Sequence, residues 1–154
     1  MTHQSLLLIN TYYLSPDDWF NLTLRLCLAL LFGAAIGLER ELRQKPAGLR
    51  THMLVSMGSA LFVLVPLQAA AISPNYDPLS RVIQGVASGI GFVGAGEILR
   101  ESSPEASQRT KIRGLTSAAA IWVSAALGIA AGCGLWRLGL ISTVLCVFVL
   151  KFFK

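Results

Sequence analysis

Glu97 and Arg25 are where a chemical reading of this sequence starts, because each interrupts an otherwise uncharged, apolar stretch, Val82–Leu99 and Trp19–Leu38. A charge at membrane depth is costly, so both are functional candidates by default. Two Glu97 carboxylates brought together by two copies could hold a cation or share a proton. One acid per chain builds no all-protein Mg²⁺ cage, whereas hydrated Mg²⁺ gripped by one or two carboxylates fits the residue. The competing reading is a solvated pair between Glu97 and Arg100 at i+3. At a helical rise of 1.5 Å per residue, Arg25 lies about 9 Å below Trp19 and Glu97 about 24 Å below Arg81, so the two are not partners. Arg25 is expected to snorkel outward to a lipid phosphate or to Asp18, seven residues back on the same face.

Catalytic chemistry has little to draw on. Ser88 has no buried histidine in a neighbouring span, His52 falls at the inner interface and His3 in the N-terminal segment. No HExxH, GxSxG or paired Asp is present, so no nucleophile and base can be named and no enzyme is expected. Gly89–Gly94 reads GxGxxG, but it lies inside an apolar span with no strand before it, which argues against a nucleotide loop. Small residues there serve close helix packing instead. Gly85 and Gly89 form a GxxxG pair; Gly91, Gly94, Ala95 and Gly96 extend the small-residue surface, and a homo-oligomer, a dimer first, is expected through it. Cys27, Cys133 and Cys146 have no metal-type spacing and read as small apolar residues. No cofactor is expected beyond possible Mg²⁺.

The elements that carry these residues follow from composition. Of 154 residues, 54% are hydrophobic and 14% charged, with a mean hydropathy of +0.62. A soluble domain carries about a quarter charged residues, so an ordinary water-soluble globule is excluded. The sequence predicts an all-α polytopic membrane protein: a short segment 1–14, then a transmembrane domain 15–154 with spans near 19–38, 53–72, 82–99, 114–132 and 135–153. Leu138–Leu150 is short for a span; Arg137 and Lys151 with Phe152 and Phe153 could complete it, the alternative being a re-entrant or interfacial helix. Ser15 is placed to cap the first helix with Pro16 at its first position. Lys45–Gly48, Asn75–Pro78 and Gly132–Gly134 read as breaks.

The net charge of +5 is a topology signal. Arg40, Arg43, Lys45, Arg50, Arg100, Arg109, Lys111, Arg113, Lys151 and Lys154 fall on one side of the bilayer, leaving Arg81 and Arg137 on the other. The N-terminus is therefore expected outside and the C-terminus inside, and no nucleic acid is needed to explain the basic balance. No cleaved signal peptide is expected. Phe32–Arg40 and Phe92–Arg100 are similar, as are Gly48–Thr51 and Gly114–Ser117, which suggests a parallel hairpin repeat. In the first inner loop Glu39 and Arg43 form an i,i+4 pair. The cluster around them is either an orientation signal attracted to anionic lipid, at about 1 kcal/mol per basic residue, or a docking surface.

Four motifs, Gly37–Arg40, Lys45–His52 (with Gly48, Arg50 and Thr51), Gly89–Gly96, and Arg113–Ala119 (with Gly114 and Thr116) followed by Trp122, make the chain resemble the MgtC/SapB family of bacterial inner-membrane proteins over roughly residues 20–140. The resemblance implies a five-span protein linked to magnesium homeostasis and, in pathogens, to survival within host cells. It also implies regulation through contacts with other membrane proteins, such as the F-type ATP synthase or a Mg²⁺ transporter. Glu97 stands where the family is usually apolar or small, Ser117 replaces a frequent Thr, and the 101–113 loop is expected to be long and flexible. Some members carry a soluble C-terminal domain, which is not expected here. The leading expectation is a non-enzymatic inner-membrane regulator or accessory protein. The alternative is an oligomeric Mg²⁺ or other cation transporter or channel using Glu97.

Overall fold

The computed structural model describes residues 18–70, 77–101 and 114–153. They form five helices: α1 (Trp19–Leu42), α2 (Leu49–Ala70), α3 (Asp77–Glu101), α4 (Leu115–Gly132) and α5 (Trp136–Phe152). In α1, α2, α4 and residues Pro78–Leu99 of α3, length and apolar composition suffice to cross a membrane. At 17 residues, α5 rises only about 25 Å against a hydrocarbon core of about 30 Å. The fifth predicted span is thus one unbroken helix, shorter than its neighbours.

Helix ends follow local chemistry. Asp18, not Ser15, caps α1: its Oδ1 accepts the Asn21 N–H at 3.0 Å, satisfying one of the donors a helix start leaves open. Ser15 and Pro16 lie outside the described residues. Where a turn was expected at Asn75–Pro78, Asp77 and Pro78 already belong to α3; a proline in the first turn sacrifices no intrahelical bond. The other two breaks are as expected. After α1 the chain turns through Gln44, whose φ is 53°, with Gln44 N–H bonded to Glu41 O at 2.9 Å and Lys45 N–H to Arg40 O at 3.0 Å. After α4 the same pattern recurs: Gly134 has φ 76°, its N–H reaches Ala131 O at 3.0 Å, and Leu135 N–H reaches Ala130 O at 2.8 Å. Both are Schellman closures, which use the left-handed residue to satisfy terminal carbonyls.

Glycines set the packing. A Cβ on Gly33 would stand 2.5 Å from His52 O, and one on Gly37 would stand 2.8 Å from Leu49 Cα, so the α1 and α2 backbones touch in antiparallel register. A Cβ on Gly128 would collide with the Ser56 backbone, and one on Gly132 would come within 2.9 Å of Ala60 O, which makes α2 and α4 parallel and equally close. Without lipid-excluded hydrophobic driving force, such backbone approach is what holds membrane helices together. Ile36, Ala60, Ala131 and Ile121 fill the remaining space. α5 closes the other flank, with Gly139 against the Phe32 ring. α3 lies at the edge on α4; among its described side chains only Gly94 and Glu97 are buried.

Candidate functional site

The first intramembrane charge is not at the lipid surface. Arg25 is 3% exposed; its Nε donates to Asn21 Oδ1 at 3.0 Å and its Nη1 donates to Gly132 O at 2.8 Å. This corrects the expected snorkelling. The α1–α4 interface buries the stem, and the Schellman closure leaves the Gly132 carbonyl open, so an acceptor inside the protein replaces lipid phosphate. A cation at a helix C-terminus also meets the negative end of its dipole.

At the opposite end, the residues of the first inner-loop motif are mostly spent on the fold. Glu39 is paired with Arg40 Nη2 at 2.5 Å and, as the i,i+4 spacing predicted, with Arg43 Nε at 2.5 Å. Arg43 Nη2 also donates to Lys151 O at 2.9 Å, near the end of α5. Arg40 is 3% exposed. Glu41 Oε2 accepts the Leu49 N–H at 2.7 Å and so caps α2 from eight residues back. A Cβ on Gly48 would stand 2.6 Å from that same oxygen, so a side chain there would make the Glu41 carboxylate swing away from its capping position. Lys45 and Arg50 remain exposed, and Thr51 is half-buried.

His52 is fully buried rather than interfacial. Its Nδ1–H donates to Gly48 O at 2.9 Å, while Nε2 has no hydrogen-bond partner. Ser56 Oγ donates to Ala29 O at 2.7 Å. Ser124, one turn before Gly128 as His52 is one turn before Ser56, is fully buried with its hydroxyl unbonded.

Glu97 is 9% exposed, and its Oε1 has no hydrogen-bond partner. It lies three residues beyond Gly94, whose added Cβ would stand 3.4 Å from Ala118 Cβ. Glu97 therefore belongs to the α3 face turned to the start of α4, at the end of the bundle away from Arg25. The Arg100 side chain and Arg113 lie outside the described residues. Gly114 adopts φ 87°, a left-handed conformation favouring glycine, and its carbonyl accepts the Ala118 N–H at 2.8 Å. Thr116 is exposed and Trp122 half-exposed. Among the described residues no three of His, Cys, Asp and Glu gather as a metal-binding group; Cys27, Cys133 and Cys146 are free thiols.

The expected small-residue surface of α3 is used within the chain only at Gly94. A Cβ on Gly85, Gly89, Gly91 or Gly96 would meet nothing within 4 Å, and Ala95 is exposed. The pairs that bring backbones together are Gly33–Gly37 and Gly128–Gly132. Both carry the same GxxxG spacing as Gly85–Gly89; spacing alone does not say which of the three faces protein.

A helical bundle with backbone contact between membrane-length apolar helices, and a buried arginine capping one of them, defines a multi-pass membrane protein. The sequence matches the family model described as MgtC family over residues 26–154, and the chain belongs to that family. It is 52% identical over 149 residues to Protein SrpB of Synechococcus elongatus, covering 95% of this chain and 82% of the relative. It is 43% identical over 134 residues to the Putative magnesium transporter YhiD of Escherichia coli, covering 84% of this chain and 59% of the relative. Protein MgtC of Salmonella typhimurium is 41% identical over 126 residues, covering 82% of this chain and 49% of the relative. The chain thus spans only about half to three-fifths of the latter two. No solved structure matches it.

Proposed function

We propose that this chain is a non-enzymatic regulator or accessory protein of the bacterial inner membrane, linked to magnesium homeostasis and acting through contacts with other membrane proteins. The magnesium link rests on the name of the E. coli relative and on family membership. What supports the contact-based reading is the closed junction of α1, α2 and α4: their backbones touch at Gly33, Gly37, Gly128 and Gly132, so no path for a hydrated ion runs between them. Exposed charge collects instead at the loop that holds Lys45 and Arg50, where a membrane partner or its cytoplasmic portion can reach it. The test is purification from native membranes with identification of what accompanies the protein. Lys45→Glu with Arg50→Glu is expected to lose the specific companion while the bundle stays folded; unchanged recovery would sink the docking role of this loop.

One observation favours the transporter reading: Glu97 is a buried acid with an unbonded oxygen. Mg²⁺ flux into proteoliposomes that Glu97→Gln abolishes would establish it over the regulator.

A further inference from the structure

Between α2 and α3 runs an apolar groove of about 550 Å³, walled by Val55, Gly58 and Phe62 on one side and Val82, Gly85 and Gly89 on the other. Its only hydroxyl, on Ser59, donates to Val55 O at 2.8 Å, so nothing in the groove calls for a polar ligand. We propose that this groove binds one acyl chain of an anionic glycerophospholipid whose phosphate is held by Arg81.

Arg81, Gly85 and Gly89 recur every four residues and so form one stripe of α3. The stripe puts a cation at the mouth of a groove floored by glycines. Arg81 is exposed and makes no ion pair with a described residue, and a guanidinium presents the donor fork that matches a phosphate diester. The two walls span eight residues each, about 12 Å of helix. An extended hydrocarbon chain is thin enough to lie along a groove of this length. Charge separates a lipid from a second copy. A second copy packed on the same stripe about a twofold axis along the membrane normal would bring two Arg81 side chains together, a like-charge contact at low dielectric. A phospholipid meets the same arginine with a negative charge.

The groove can be filled without harm to the bundle, because a Cβ added at Gly85 or Gly89 meets none of the described residues within 4 Å and the substitutions remove helix-destabilising glycines. Purified, delipidated protein is titrated by native mass spectrometry with phosphatidylglycerol, with diacylglycerol and with inorganic phosphate. The wild type is expected to bind one phosphatidylglycerol in preference to diacylglycerol, and inorganic phosphate not at all. Arg81→Gln is expected to weaken phosphatidylglycerol about fivefold and to erase its advantage over diacylglycerol. Gly85→Leu with Gly89→Leu is expected to abolish the bound lipid while circular dichroism stays that of the wild type. Lipid retained by the filled variant, phosphate bound without a chain, or a wild-type dimer that the filled variant alone loses would each overturn the assignment, the last in favour of a second copy.

Discussion

Arg25 and Gly132, 107 residues apart, are joined by a 2.8 Å hydrogen bond from the guanidinium to the last carbonyl of α4. The bond couples the start of the first helix to the end of the fourth. A hydrogen bond from a charged donor contributes about 1.5–3 kcal/mol, so Arg25→Met is expected to lower stability by that amount in a detergent or SDS unfolding titration. Arg25→Lys is expected to recover only part, since one ammonium does not reproduce the fork that serves Asn21 and Gly132 together. Wild-type stability in the methionine variant would mean that the arginine reaches lipid phosphate instead.

Gly128 and Gly89, each a member of a GxxxG pair, are expected to respond to substitution with opposite sign. Gly128→Ala forces a methyl into the Ser56 backbone, and overpacking of this kind costs about 1–3 kcal/mol. Gly89→Ala meets nothing within 4 Å and gains up to about 1 kcal/mol of helix propensity. Thermal melts of the two variants side by side decide it; an equal loss in both would show that the α3 glycine is packed after all.

That contrast also marks how far the sequence carries. The helices, the breaks at Lys45–Gly48 and Gly132–Gly134, and the Glu39–Arg43 pair are local features, written in spacing and in residue type, and all are legible. The acceptor for Arg25, the burial of His52 and the choice among three GxxxG pairs depend on inter-helix register, which apolar helices with small faces on several sides do not announce. The family motifs around Arg40, Arg43 and Gly48 look like an exposed basic loop in the sequence. In the fold Arg40 is buried, and Arg43, beside its local partner Glu39, reaches the Lys151 carbonyl at the end of α5, an acceptor that only tertiary packing brings near.

Gln44 holds a left-handed backbone at φ 53° in a closure where Gly134 occupies the equivalent place after α4. A side chain in that conformation costs about 1–2 kcal/mol, part of which glycine returns through its greater unfolded-state freedom. Gln44→Gly is expected to raise stability by about 1 kcal/mol, and Gln44→Ala to leave it unchanged because alanine keeps the same strain. A melting shift of equal size for both would point to loss of a glutamine contact rather than relief of the backbone.

The charge distribution also carries an expectation for orientation. Lys45, Arg50 and Lys151 are exposed at the end of the bundle that holds the α1–α2 loop, and Arg81 and Arg137 are exposed at the other end; Arg25 is buried and does not add to that second surface. Basic residues in short loops are retained on the cytoplasmic side, so the α1–α2 loop is expected to face in. In a chain whose own cysteines are replaced by serine or alanine, Lys45→Cys is expected to resist a membrane-impermeant maleimide in intact spheroplasts and to react once the membrane is opened. Arg137→Cys is expected to react in both. The reverse pattern would invert the protein and would put the exposed Lys45 and Arg50, and with them the proposed docking loop, out of reach of any cytoplasmic partner.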